Sequence, residues 1–353
     1  MTVIGFMHYR KNPEGLNKAY AFAAVAGAEG AELLFFSPGS VDFEKKEING
    51  YVYNNGAWIN KLSRFPDVVY NVVGLINEKQ NAVADRLKKE IPFTSHSIGD
   101  KMTVYKNIEK YKTFSNYLIP SETVSSVGSF FNLLKKYGEI VFKPSSGRRG
   151  SHVYYIAAKN ESYEILSGGD KTVCSFSEIS DFISGKTERE EYLIQPYINC
   201  RMKSGNAYDF RLHVQKNING EWVIAKIYPR IAPAGSIVCN LSCGGYTNDF
   251  KTFLIQEFGG EYLNIQKYIE VFSLSFAAHM DKIQNEIYGE DLDELGIDIG
   301  LDGNQKINLY EVNWRPGFPP LMTLDLNIIK NIIHYSMFLA NKAQTASEKR
   351  LNV

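Results

Sequence analysis

Leu309-Tyr310-Glu311-Val312-Asn313-Trp314-Arg315-Pro316-Gly317 ends an apolar run with an acid and an amide two residues apart, and a Pro-Gly turn follows at once. Side chains alternate faces along a strand, so Glu311 and Asn313 point the same way. Two oxygen-bearing side chains at a strand end suit a hard cation such as magnesium. Taken alone, the same residues also read as an edge strand with its polar side in water.

The segment before it offers a third oxygen ligand. In Gly296-Ile297-Asp298-Ile299-Gly300-Leu301 the apolar residues share one face and leave Asp298 on the other. If the hairpin turns at Gly303-Asn304, Asp298 stands opposite Leu309 with Glu311 as its diagonal neighbour, within side-chain reach. Asp298, Glu311 and Asn313 then form one oxygen-rich patch. A three-residue loop would set Asp298 opposite Tyr310, whose side chain would face away.

Basic segments lie upstream. In Ile140-Val141-Phe142-Lys143-Pro144-Ser145-Ser146-Gly147-Arg148-Arg149-Gly150-Ser151 a strand delivers a lysine and a flexible basic loop follows. Glycines let backbone N–H groups approach an anion, and Lys143 adds a point charge. The order differs from a Walker A loop, and a solvated hairpin tip is the plainer alternative. Tyr192-Leu193-Ile194-Gln195-Pro196-Tyr197-Ile198 runs an apolar strand into a proline, which opens the ladder where an adenine edge could bind. In Asp209–Gln215 and Val223–Arg230, clean alternation gives one core face and one face carrying Arg211, Lys226 and Arg230. Asp209 is the only acid near these cations, so an anion bound there, or a solvated outer face, explains them. Asn240-Leu241-Ser242-Cys243-Gly244-Gly245 reads as a tight loop.

The chain has 353 residues and formally zero net charge. That length allows two or three domains with proper cores, and the balance gives no argument for nucleic acid or an anionic membrane. The apolar run Met1–Met7 is short for a signal peptide or a membrane span. Cys174, Cys200, Cys239 and Cys243 lack metal-type spacing and read as reduced thiols of a cytoplasmic protein. The first third alternates strand and helix, with strands at Thr2–Met7, Glu32–Phe36 and Asp67–Val73 and a helix over Leu16–Glu29. This implies an open parallel α/β sheet. No G-x-G-x-x-G follows the first strand, which argues against NAD. His8, Tyr9, Arg10 and Lys11 follow that strand where such sheets place ligands. Helical patterns cover Glu78–Glu90, Val104–Tyr117, Val127–Tyr137, Phe250–Phe258, Tyr262–Tyr288 and Asp325–Asn341. Short strands fill the region from Glu139 to about Ala232, and a polar tail starts at Gln344.

The pieces stand in a telling order: lysine on a strand, glycine-rich loop, Gln-x-Tyr-Ile, Asp-x-Arg, Arg230, Asn-Leu-x-x-Gly-Gly, Asp298, then Glu-x-Asn-x-x-Pro-Gly. This order resembles the ATP-grasp superfamily, whose members include ribosomal-protein glutamate ligase, glutathione synthetase and D-alanine–D-alanine ligase. The phrases DFRLHV, NLSCGG, GIDIGLD and YEVNWRPG look closest to the YheC/YheD group, which is associated with endospore coats. The resemblance implies an α/β chain with an N-terminal open parallel domain (1–95) and a two-part ATP-grasp domain (96–342, with a lid subdomain at 96–195 and a C-terminal subdomain at 196–342). A flexible tail (343–353) would follow. It implies ATP and magnesium (Mg2+) as cofactors. Lys101, Lys143 and Lys226 would contact phosphates under a lid of Gly147, Arg148, Gly150 and Ser151. Gln195, Tyr197 and Ile198 would hold adenine, and Asp298, Glu311 and Asn313 the metal. Arg230, Asn240 and Arg211 would serve the reacting groups. Cys243 departs from the pattern, because close relatives commonly carry a basic residue there. The implied activity is ATP-dependent ligation of a small-molecule or peptide carboxylate to an amine through an acyl phosphate, in a cytoplasmic or spore-coat setting with coat proteins as partners. A coat structural or interaction protein that keeps nucleotide binding, and a kinase of this fold, are the alternatives. No Ser-His-Asp or Cys-His unit is evident.

Overall fold

The computed structural model describes residues 1–71, 75–145, 152–317 and 325–351. Three sheets follow one another along the chain. In the first, Thr2–Met7 lies between parallel neighbours Ala31–Phe36 and Val68–Asn71, and Phe93–Thr94 extends the parallel part. Near-continuous burial of these strands follows from cover on both faces. The polar stretch after Phe36 is an antiparallel hairpin, Glu47–Asn54 with Ala57–Arg64. It turns at Asn55-Gly56, both at positive φ, as a two-residue hairpin turn demands.

The second sheet is antiparallel, with Glu139–Pro144 between Tyr154–Lys159 and Tyr192–Pro196. The helices Val127–Tyr137 and Phe176–Thr187 contribute Phe130, Ile179 and Ile183 to its core beside Phe142 and Ile156. The second of these helices interrupts a region read from sequence as strands alone. Ser175 and Glu178 cap it reciprocally, a signature legible in the sequence. In the third sheet, Trp222–Ile231, Tyr208–Lys216, Glu294–Leu301 and Ile307–Asn313 run side by side and antiparallel. The long helix Tyr262–Tyr288 covers one face through Ile269, Phe272 and Phe276, packed with Phe210, Leu212, Ile297 and Ile299. The other face is polar.

Glu78–Leu87 stops three residues short of its sequence pattern, and two other helices differ more. Lys101–Tyr111 ends at Lys112, which takes a positive φ, and only a short 3-10 turn occupies Ser115–Tyr117. The last helix, Leu326–Leu351, continues past Asn341 through the polar tail. Its Ile328, Ile329, Ile332 and Ile333 enter the core of the first sheet beside Ile4, Phe6 and Phe22. It also packs on the third sheet, so the C-terminus ties that sheet to the N-terminal domain. No helix among the described residues is long and apolar enough to cross a membrane.

Candidate active site

The hairpin that carries the acids has a register of its own. Its loop is three residues long: the Asp302 N–H donates to the Lys306 carbonyl at 3.1 Å, and Gln305 sits at φ 61°. The two-residue turn at Gly303-Asn304 expected from sequence is therefore absent. Leu301, Gly300 and Ile299 pair with Ile307, Asn308 and Leu309, and a β-bulge then inserts Tyr310. The bulge shifts the pairing by one more residue and sets Asp298 directly opposite Glu311, on the same face. Tyr310 does not face away. A Cβ on Gly300 would lie 2.1 Å from the Tyr310 Oη, so the phenol occupies the space that glycine leaves. The Tyr105 hydroxyl donates to the carbonyls of Leu309 (2.9 Å) and Tyr310 (3.2 Å), satisfying the bulged backbone. Sequence reading placed Tyr105 only on a helix, and nothing in its spacing announced this role.

Asp298 is 4% exposed and sits among arginines. Arg211 grips it in bidentate fashion, with Nη2 at 3.0 Å from Oδ2. Arg230 donates bidentately to Asp209 at 2.6 and 2.8 Å and reaches Asp298 at 3.0 Å. Burial alone would raise the Asp298 carboxyl, but the two guanidinium groups together hold it below the ordinary range. The cations expected to await an anion are thus paired with acids in a chain Asp209–Arg230–Asp298–Arg211. Gly296 permits it: a Cβ there would meet Pro316 Cβ at 2.6 Å and Arg211 Nη1 at 3.2 Å. Lys226 points elsewhere and pairs with Asp325 at 3.4 Å, before the last helix.

The second sheet meets the third at two lysines. Gly99 at φ 85° and Asp100 as N-cap start the helix whose first residue is Lys101. The Lys101 Nζ lies 4.0 Å from Glu311. Lys143, on the middle strand of the second sheet, donates to Gln195 Oε1, and the Gln195 amide donates to Ser121 Oγ at 2.6 Å. Burial and the charge of Lys101 push Lys143 well below the usual lysine range, and Glu311 pulls it back up. Lys101, Lys143 and Glu311 therefore converge. The Gln195 side chain orders Lys143, a role that its adenine assignment did not include. The Tyr197 N–H still donates to the Glu139 carbonyl at 2.9 Å, so the ladder runs one residue past Pro196 before the backbone leaves the sheet at Ile198. The Tyr197 ring stands edge-on to Tyr155, and its buried hydroxyl has no hydrogen-bond partner among the described residues. Gly147, Arg148, Gly150 and Ser151 lie outside the described residues.

The Asn240 carbonyl accepts N–H groups from Cys243 and Gly245, closing the tight loop. Gly245 approaches the Cys239 carbonyl so closely that a Cβ would fall 2.5 Å from its oxygen. Cys243 is exposed, and the thiols are not joined in disulfides. His8 turns inward, and its Nδ1 accepts the Arg10 N–H at 3.0 Å, while Tyr9, Arg10 and Lys11 are exposed.

The family description YheC/D-like ATP-grasp matches residues 90–339, and this stretch holds Lys101, Lys143, the arginine network, Asp298, Glu311 and Asn313. The chain belongs to the YheC/D-like ATP-grasp family. Endospore coat-associated protein YheD of Bacillus subtilis (strain 168) is 25% identical over 336 residues, which span 90% of this chain and 73% of that protein. Endospore coat-associated protein YheC of the same organism is 27% identical over 333 residues, 90% of this chain and 89% of its own. The ATP-grasp ligase PsnB, solved with a minimal precursor, is 11% identical, with 96% of this chain and 99% of that chain covered and a TM-score of 0.56. PsnB has also been solved with precursor, Mg and ADP. At that identity the likeness concerns the fold, and the fold is that of ATP-grasp ligases.

In this YheC/D-like site, magnesium can be tested against the residues present. Two carboxylates and an amide on one face make the oxygen donor set that a hard cation takes. Among the described residues no group of three or more His, Cys, Asp or Glu could hold a metal, so a site here would draw on Asn313 as well as the two carboxylates. Glu311 and Asn313 are partly exposed, whereas both oxygens of Asp298 are held by guanidinium groups. Glu311 and Asn313 fit a hard cation as they stand, whereas Asp298 would join them only by giving up a guanidinium contact.

Proposed function

We propose that this chain is an ATP-dependent carboxylate–amine ligase that works through an acyl phosphate. The observation that carries the reading is the meeting of Lys101, Lys143 and Glu311 between the second and third sheets. Burial and the charge of Lys101 both disfavour the charged form of Lys143, with Glu311 only partly offsetting them, and polyphosphate oxygens would ease that cost. Glu311, Asn313 and Asp298 would hold magnesium, which when bound offsets phosphate charge. Lys101 and Lys143 would orient the phosphates. Arg230 and Arg211 would present positive charge where negative charge grows on the transferring group, an effect that typically contributes about 10²–10³ in kcat per donor. The complex of PsnB with minimal precursor, Mg and ADP supports both cofactors.

The endospore coat association of YheC and YheD favours a second reading, a coat protein that binds nucleotide without ligating. Product analysis with Mg-ATP and a panel of amino acids and short peptides separates the readings. ADP, phosphate and a new amide are expected. ADP with a stable phosphorylated product would make the chain a kinase, and nucleotide binding without turnover would favour the coat role.

A further inference from the structure

A cavity of about 310 Å³ opens at the carboxyl edge of the first sheet, between Asn71, Ser95 and Ser97 on one side and Trp314 and Arg315 on the other. Trp314 and Arg315 directly follow Glu311 and Asn313 in the chain. Open α/β sheets bind ligands at this edge. The volume stands at the lower end for small-molecule sites, which suits one amino acid or a dipeptide.

Charge pairing around the cavity is uneven. Asp85 pairs with Lys88 at 3.3 Å. Glu290 accepts from Gln284 at 2.9 Å and lies 3.2 Å from the His96 Nδ1. Each lining acid is therefore engaged. Arg315 differs. Its guanidinium lies 3.6 Å over the Trp314 ring and makes long contacts to the Asn71 carbonyl (3.3 Å) and Oδ1 (3.4 Å), all from Nη1. No carboxylate among the described residues pairs with it, in contrast to Arg211 and Arg230. The group is half-buried, and burial lowers its pKa to about 10. A desolvated guanidinium without a carboxylate is costly, and its planar fork matches a carboxylate in bidentate geometry. Stacking and the Asn71 contacts hold the fork in place without neutralising it.

We propose that this cavity binds the recognition carboxylate of a substrate the size of an amino acid or dipeptide, with Arg315 as its fork. The assignment rests on the ligase reading of the adjoining site. The carboxylate held here is the one that stays ionised, because a group paired to Arg315 is stabilised in its charged form. The reacting carboxylate or amine is the substrate's other end.

The test is calorimetric titration of the nucleotide-free full chain with L-glutamate, L-alanine and L-alanyl-L-alanine, each beside its carboxamide. At least one carboxylate probe is expected to bind wild type, with its amide at least about tenfold weaker, the loss of one charge-assisted contact. Arg315→Gln should remove that preference and Arg315→Lys keep part of it. Both should leave the affinity for a fluorescent ATP analogue unchanged. Binding of no probe, equal binding of acid and amide, or a preference retained by Arg315→Gln would overturn the proposal. If Arg315→Gln fails to melt as a folded protein, the acid–amide comparison on wild type decides alone. Failure of the ligase reading shows separately, as wild type that does not bind the ATP analogue with magnesium.

Discussion

Tyr105→Phe is a narrow perturbation, because it removes one oxygen and leaves the ring in place. That oxygen donates to two carbonyls at the bulge, Leu309 at 2.9 Å and Tyr310 at 3.2 Å. Tyr105 and Leu309 are both buried, so water does not readily replace the donor. A net hydrogen bond contributes about 1 kcal/mol, and a stranded buried acceptor costs about 1–3 kcal/mol. The expected loss of stability is therefore about 1–3 kcal/mol by urea denaturation. The bulge also places Glu311 opposite Asp298, so its loosening should weaken magnesium-dependent binding of a fluorescent ATP analogue by about three- to tenfold. Binding in the presence of EDTA should change less. A stability change below about 0.5 kcal/mol would refute the bulge as the site of the hydroxyl's work. Lost stability with unchanged magnesium dependence would refute the link from bulge to metal register.

Two further outcomes follow from buried charges. Arg230→Met should destabilise by about 3–5 kcal/mol because it leaves Asp209, 8% exposed, without its fork. Adding Asp209→Leu should recover much of that loss in the same denaturation assay, and failure to recover would contradict the pairing. His8 has its pKa lowered to about 4 by burial and by Arg10 and Lys18. Its folded value lies below its unfolded one, so its contribution is complete above about pH 6.5 and is lost as pH falls towards 4. The full shift would amount to about 3 kcal/mol, and partial solvent access reduces this to about 1–2 kcal/mol. Asp293, pushed up to about 7 by burial and by Glu294, gives a slope of opposite sign. The measurement is therefore the difference between wild type and His8→Phe from pH 4.5 to 7.5, which should grow with pH; a flat difference would contradict it.

Much of the architecture was legible because patterns were long or chemically specific. The helices Val127–Tyr137, Phe250–Phe258 and Tyr262–Tyr288 match their apolar periodicity to the residue. Alternation in Asp209–Gln215 placed Asp209 and Arg211 on one face correctly. What it could not show is that these cations are paired, since pairing depends on Arg230 and Asp298 arriving from other strands. The hairpin register was missed for a related reason. A bulge adds a residue without a sequence mark of its own, and the hydroxyl that satisfies its carbonyls, that of Tyr105, lies in a distant helix. Asp298 and Glu311 nevertheless share a face, by a three-residue loop plus a bulge rather than by a two-residue turn. The helical tail to Leu351 was hidden because its polar residues carry little apolar pattern. Arg315 stands in the deciding stretch, yet that no carboxylate among the described residues pairs with it is a fact of packing alone.

On the ligase reading, Glu311 joins the metal end of an ATP site to the lysines of the second sheet. The decisive measurement is titration of the fluorescent ATP analogue into wild type and Glu311→Gln, each with magnesium and with EDTA. Glu311→Gln keeps size and hydrogen bonding while removing the charge 4.0 Å from Lys101. The expected result is tight, magnesium-dependent binding by wild type and loss of the magnesium dependence in the folded variant. Equal magnesium dependence in both proteins would contradict the account.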